Sequence, residues 1–174
     1  MRKLIIIILI LLSGISCLAL NFSIKFTPLE DKVCDFIEKY TEPFKAKHDV
    51  LEDAVMWTAE EEAIQGKDKR YPAYLQTQYI YVYFAASDGP TIQVCYAPNI
   101  DRSHRRAPGK KWTCSKQKGD EVFIAFTPKI TGEHLVMIKT LKGSGNAVGY
   151  MVYYYKKGQP KAVYQDLIYT GEEI

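Results

Sequence analysis

The spacing of apolar positions changes character twice along this chain. Leu4 to Leu12 form an almost unbroken apolar run, residues from Thr27 to Tyr40 repeat at helical spacing, and from Tyr71 onward β-branched and aromatic runs alternate with turn residues. Thr27-Pro28-Leu29-Glu30 is a helix start: Thr27 can cap, Pro28 suits the first helical position, and Glu30 can close a capping box. Leu29, Val33, Phe36, Ile37 and Tyr40 then share one face, which predicts a helix that Pro43 ends or keeps from extending. A second helix is expected from about Asp49 to Gln65, where Val50, Leu51, Ala54 and Val55 suit a face. The run Val55-Met56-Trp57-Thr58 reads equally well as a strand. Glu60-Glu61-Glu62 reads as a solvated face, since adjacent carboxylates do not share a side of a helix.

The later pattern predicts strands at Leu75–Ala85, Thr91–Tyr96, Lys111–Ser115, Glu121–Phe126, Glu133–Leu141, Ala147–Lys156 and Ala162–Tyr169. The breaks between them carry turn chemistry, among them Ser87-Asp-Gly-Pro90, Thr131-Gly132 and Gly143-Ser-Gly-Asn146. Short strands at this spacing imply a mainly β fold, an antiparallel β-sandwich behind an N-terminal helical segment. The expected organisation is a signal peptide at 1–19, a helical segment at 20–70 and the sandwich at 71–174. Its core is expected to include Ile80, Val82, Val94, Phe123, Leu135, Val136 and Val152. Period two puts Tyr79, Tyr81 and Tyr83 on one face of their strand and Ile80, Val82 and Phe84 on the other. That strand is either central and covered on both sides, or it presents an aromatic stripe to solvent.

Arg2 and Lys3 before the first apolar run, and Ser13, Gly14, Ser16, Cys17 and Ala19 after it, follow the order of a secretory signal peptide. Cleavage after Ala19 places the mature protein outside the cytoplasm, secreted, periplasmic or at the cell surface. The alternative is an uncleaved anchor, for which about 17 apolar residues is the short limit. Without Arg2 and Lys3 the 23 basic residues stand nearly level with the 20 acidic ones, so whole-chain charge selects no partner and gives no specific nucleic-acid signal. Locally the balance shifts: residues 20–74 carry 8 basic and 12 acidic side chains, whereas residues 75–119 carry 7 and 2.

That local excess lies in Asp101-Arg-Ser-His-Arg-Arg-Ala-Pro-Gly-Lys-Lys111, where Arg102, His104, Arg105, Arg106, Lys110 and Lys111 form a candidate anion-binding loop. The same density also suits a solubilising hairpin tip, and Arg105-Arg106 suits a protease. Cys95 and Cys114 flank the loop on segments that fold back on each other and are expected to pair, leaving Cys34 as a buried thiol. Cys17 has a second reading as the acylated residue of a bacterial lipoprotein, because Ser16 precedes it; Gly14 and the apolar Leu18-Ala-Leu20 depart from that pattern. A lipid there, or an uncleaved signal, is what would tie the protein to a membrane. Sequence patterns for hydrolase, zinc, phosphate-loop and Cys/His metal sites are missing, so neither a cofactor nor a metal is expected. His48, His104 and His134 are scattered, and His134 reads as a packed strand residue.

The strand order from Gln78–Ala85 through Gly119-Asp-Glu-Val-Phe-Ile-Ala-Phe126 and Thr131-Gly-Glu-His-Leu-Val-Met-Ile138 to Gly149-Tyr-Met-Val-Tyr-Tyr154 resembles the jelly-roll sandwich of bacterial pre-peptidase C-terminal domains. The resemblance covers about residues 75–157. His134 stands where that family favours tyrosine, and Cys95 with its basic loop replaces a more acidic strand. It implies a jelly-roll-like fold and an exported, non-catalytic accessory module. The expected function is therefore binding to an extracellular or envelope protein, a glycan or an anionic polymer. The rival classes are an envelope-anchored structural lipoprotein and a small secreted enzyme whose site is assembled from scattered residues.

Overall fold

The computed structural model describes residues 27–57, 61–97 and 112–158. They form one helix, α1 (Pro28–His48), and nine strands: β1 (Val50–Trp57), β2 (Glu61–Ile64), β3 (Lys69–Leu75), β4 (Ile80–Asp88), β5 (Thr91–Ala97), β6 (Thr113–Cys114), β7 (Glu121–Phe126), β8 (Gly132–Lys142) and β9 (Ser144–Lys156).

The start of α1 follows from its local chemistry. The Glu30 N–H donates to Thr27 Oγ1 at 3.2 Å and the Thr27 N–H donates to Glu30 Oε2 at 2.7 Å, so two otherwise orphaned backbone donors are satisfied. Glu30 and Asp31 in the first turn and Lys45, Lys47 and His48 in the last complement the helix dipole. The helix does not end at Pro43. Pro43 cannot bond to the Lys39 carbonyl, but both residues are exposed, so water can take the freed oxygen. Continuing past Pro43 seats Phe44 against Tyr154, ring centroids 4.7 Å apart, one turn beyond Thr41, whose Oγ1 lies 3.1 Å from the Tyr154 hydroxyl.

Asp49 closes the helix in the left-handed region, φ 49°, and its N–H donates to the Lys45 carbonyl. The chain then runs straight into β1, so the helix expected over Asp49–Gln65 is instead β1 and β2, and among the described residues of the 20–70 segment the helix is confined to Pro28–His48. The physical reason is pairing: Val50 stands opposite Lys156 and Trp57 opposite Tyr150, and β2 continues along β9 from Ala147 to Ser144. A run that is ambiguous alone takes the conformation that completes a sheet. β3 was likewise not expected; it pairs with β8 from Lys69 opposite Ile138 to Leu75 opposite Gly132. The strand expected at Ala162–Tyr169 lies outside the described residues, as does the proposed signal at 1–19.

All pairings are antiparallel and form two sheets. The first has the order β1-β9-β4-β7 with β2 also on β9; the second is β3-β8-β5-β6. The pairs nest: β1 and β2 lie beside β9, β3 beside β8, β4 beside β7 and β5 beside β6, like one long hairpin doubled back and rolled up. Counting β1 and β2 as one interrupted strand gives the eight strands of a jelly roll.

The first sheet is the middle of three layers. One face carries Tyr79, Tyr81, Tyr83, Tyr153 and Tyr155 into the sandwich against Ile92, Val94, Tyr96, Val136 and Ile138. Its other face packs Val82, Phe84, Val148, Val152 and Tyr154 on Leu29, Val33, Ile37 and Phe44 of α1. β4 is thus the central strand of the two alternatives. Each large side chain fully removed from water here contributes roughly 1.5–3 kcal/mol before the entropy of ordering it. Of the expected core residues, Val82, Val94, Val136 and Val152 are buried, while Ile80, Phe123 and Leu135 are half-buried. Ile80 and Phe123 pack beneath the rim of α1, and Leu135 points away from the sandwich.

The chain passes from β8 in the second sheet to β9 in the first at Gly143, φ 81°, a conformation open to glycine without cost. Two residues on, a Cβ at Gly145 would overlap the Asp88 carbonyl and the Pro90 ring, so glycine is required for the β4–β5 turn to pack there. The hairpin turn that the Gly143–Asn146 segment suggests is therefore not formed: the segment carries the chain from the second sheet to the first, and Ser144 to Asn146 pair with β2 as the start of β9.

Candidate binding face

The two sheets differ on their outer sides. α1 covers the outer face of the first, whereas no helix among the described residues covers that of the second. In β3 the inward residues are Tyr71, Ala73 and Leu75, so Arg70, Pro72 and Tyr74 point outward, and all three are exposed. In β8 the inward set His134, Val136, Ile138 and Thr140 leaves Leu135, Met137 and Lys139 outward. Pro72 is tolerated because β3 is an edge strand and needs no second ladder of hydrogen bonds.

At the opposite edge Cys95 and Cys114 stand directly across from each other and are bridged, the pairing expected from the sequence. Cys34 on α1 is buried and takes no part in a disulfide. The bridge joins β5 to β6 on either side of the basic segment in the sequence. Such a bond is compatible with an oxidising compartment, and among the described residues no helix is long and apolar enough to cross a membrane. Arg102, His104, Arg105, Arg106, Lys110 and Lys111 lie outside the described residues, and so does Cys17.

The register joins the outward residues into rows. Arg70 is opposite Met137, Met137 opposite Cys95 and Cys95 opposite Cys114; one step along, Pro72, Leu135 and Ala97 form the next row, with Trp112 at its end. The Arg70 guanidinium lies 5.9 Å from the centroid of the Trp112 ring. Since β8 and β5 intervene and neighbouring strands are about 4.8 Å apart, the two strands are roughly 14 Å apart, and both side chains must reach inward over the sheet to meet. Met137, Cys95 and Ala97 beneath them are buried. This pair was not foreseen from sequence. The available signal was that Trp112 shares the alternation of Cys114.

Inside the sandwich, His134 and Tyr96 form a fully enclosed polar contact. His134 Nε2 lies 2.8 Å from the Ile130 carbonyl, which can only accept, so Nε2 carries a proton. In the neutral imidazole, Nδ1 then accepts from the Tyr96 hydroxyl at 3.0 Å. Burial raises the Tyr96 pKa, keeping the hydroxyl protonated as that donation requires. Tyr96 also stacks on Phe126, ring centroids 3.9 Å apart, extending the aromatic layer to the sandwich end. The arrangement anchors the Ile130 corner to β5 and β8. His134 is the packed strand residue expected from sequence.

Other charged contacts tie elements together. Lys32 on α1 donates to the Ser87 carbonyl at 3.0 Å and to Asp120 at 2.7 Å, holding the Asp120 carboxyl below its usual range and fastening the helix to the β4 and β7 ends. Lys69 pairs with Glu61 at 2.9 Å, linking β3 to β2 across the two sheets. Among the described residues no three His, Cys, Asp or Glu side chains gather to hold a metal ion. No protein-family model and no curated protein matches the chain.

Proposed function

We propose that the protein is an exported, non-catalytic binding module that contacts a ligand outside the cytoplasm, an anionic polymer first, through the outer face of its second sheet and the basic segment 101–111. The observation that carries this reading is the asymmetry between the sheets. One outer face is sealed by a helix, while the other is left with Arg70, Tyr74 and Lys139 outward and with the stems of a cation-rich segment bridged to its edge. The resemblance to pre-peptidase C-terminal domains and the charged, apolar and small-residue order of residues 1–19 support the same class and an extracellular or periplasmic site of action. Fold likeness transfers no ligand, so the partner rests on the charge of the face.

The test is retention on immobilised heparin with a salt gradient. Wild type should bind and elute as salt rises, because screening weakens contacts between exposed charges. Arg102→Ala, Arg105→Ala and Arg106→Ala combined should elute earlier with an unchanged circular dichroism spectrum. Binding near pH 6 should exceed that near pH 8, since His104 gains charge on the acid side of its ordinary pKa of about 6.5. Unchanged retention in the triple variant would leave the segment as a solvated hairpin tip.

A further inference from the structure

Beyond that reading, we infer that the outer edge of β7 is a dimerisation site, where the strand pairs antiparallel with β7 of a second copy of this chain across a twofold axis. β7 ends the first sheet, and its register with β4 fixes which of its backbone groups are used. The Ser87 N–H donates to the Asp120 carbonyl at 2.8 Å, so Asp120 turns its backbone toward β4, and strand alternation turns Val122, Ile124 and Phe126 the same way. Gly119 turns the other way and exchanges both of its bonds with Ile92 on β5, at 2.7 and 3.1 Å. Glu121, Phe123 and Ala125 share the Gly119 direction, and among the described residues nothing takes their outward N–H and C=O groups. An unpaired edge of this kind is a template for another strand.

Among the described strands the other edges are blunted. β1 has a register shift between Glu52 and Ala54, β3 carries Pro72 together with Lys69 and Arg70, and β6 is Thr113–Cys114 alone, held by its bridge. β7 runs Glu121-Val-Phe-Ile-Ala-Phe126 without proline or bulge, and its one charge stands at the first position. The strand is also complementary to itself. A twofold centred on Ile124 sets the half-buried Phe123 opposite the exposed Ala125 of the second copy, a ring over a methyl, so that the two backbones can close to strand distance. It also sets Glu121 opposite Thr127, with the exposed Lys129 of the second copy next along, so that opposite charges meet at both ends. Because this pairing extends one sheet, both helices lie on one side of it and both second sheets on the other.

Sedimentation velocity of the purified full chain over a range of concentrations reads the oligomer, and amide hydrogen exchange followed by NMR reads the edge. Wild type should be a dimer that dissociates on dilution, with the amides of Phe123 and Ala125 protected in the dimer. Ala125→Pro removes an N–H that faces away from β4, so it should leave the circular dichroism spectrum unchanged and the protein monomeric. Ala125→Lys keeps the N–H and puts a charge against Phe123 of the second copy; it should weaken the dimer as well and covers the case of a proline variant that fails to fold. Glu121→Lys should weaken association by about tenfold, since an ion pair is lost at each end, and adding Lys129→Glu should restore it. A wild-type monomer at every concentration would overturn the proposal, whether the edge is then bare or covered by another part of the chain. A dimer that survives both Ala125→Pro and Ala125→Lys would overturn it too, because its contact lies on another surface. Open-ended assembly would overturn the twofold closure. Each of these outcomes is independent of polyanion binding, which heparin retention reads separately.

Discussion

The first sheet is buried on both faces and the second on one, and the composition of their strands differs accordingly. In β4 and β9 the runs Tyr81–Phe84 and Tyr150–Tyr155 are large and apolar or aromatic on both faces, Tyr81, Tyr83, Met151, Tyr153 and Tyr155 into the sandwich and Val82, Phe84, Tyr150, Val152 and Tyr154 toward the helix. In β3 and β8 the outward positions hold Arg70, Pro72, Tyr74 and Lys139, the mixture expected where an antiparallel sheet meets water. The comparison assigns different work to the two layers. Stability is concentrated where a sheet lies between two apolar partners, and recognition is available where one partner is missing.

The largest expected effect is at alkaline pH and belongs to the buried layers on either side of the first sheet, where Tyr154 faces the helix and Tyr71 and Tyr96 reach in from the second sheet. Burial raises the pKa of Tyr154 and Tyr96, and burial followed by the nearby Glu61 carboxylate raises that of Tyr71. A folded-state pKa above the unfolded value of about 10 means that this stability is whole below pH ~10 and drains as pH climbs toward the folded values. Unfolding should therefore set in above pH ~10, with the phenolate absorbance band and loss of circular dichroism rising together. Phenolates that formed fully while the fold persisted would show that these hydroxyls reach solvent.

Phe84→Ala comes next, at about 3–5 kcal/mol by urea denaturation, because Phe84 is fully buried and its ring meets Phe36, Tyr40 and Phe123. Removing the bridge with Cys95→Ala and Cys114→Ala should cost about 3 kcal/mol, for a closed loop with sequence separation 19. It should also weaken polyanion binding more than its stability cost explains, because the stems of the basic segment are then untied. Smallest is Lys139→Ala on the uncovered face, within about 0.5 kcal/mol. A large loss there would mean that this face is packed after all and would erase the contrast.

Features that rest on neighbouring residues were legible in the sequence. The α1 cap needs only Thr27 and Glu30, the central placement of β4 follows from bulk on both of its faces, and the break between β8 and β9 follows from Gly143, though the two strands it joins lie in different sheets and form no hairpin. Features decided by distant partners were not. Val50–Trp57 is ambiguous until β9 lies beside it, and Pro43 is a helix breaker except where the freed carbonyl meets water. Arg70 sits at the end of the segment expected to be helical, and its contact with Trp112 exists only because two intervening strands set the span between them. The candidate site was thus half readable: its cystine edge from local pairing, its arginine–tryptophan centre from tertiary register alone.

The nesting of the strands has a kinetic meaning. In a rolled hairpin the chain separation between partners grows outward from the tip, so β5 meets β6 across the shortest loop and β1 meets β9 across nearly the whole described chain. Closure entropy rises with the logarithm of that separation, which makes the innermost rung the cheapest to form and the outermost dependent on those already closed. The cystine occupies that innermost rung. Once it is oxidised, Cys95 cannot slide against Cys114, and because a slip of one residue would turn every side chain to the opposite face, the bond acts as a register pin from which the later strands are counted.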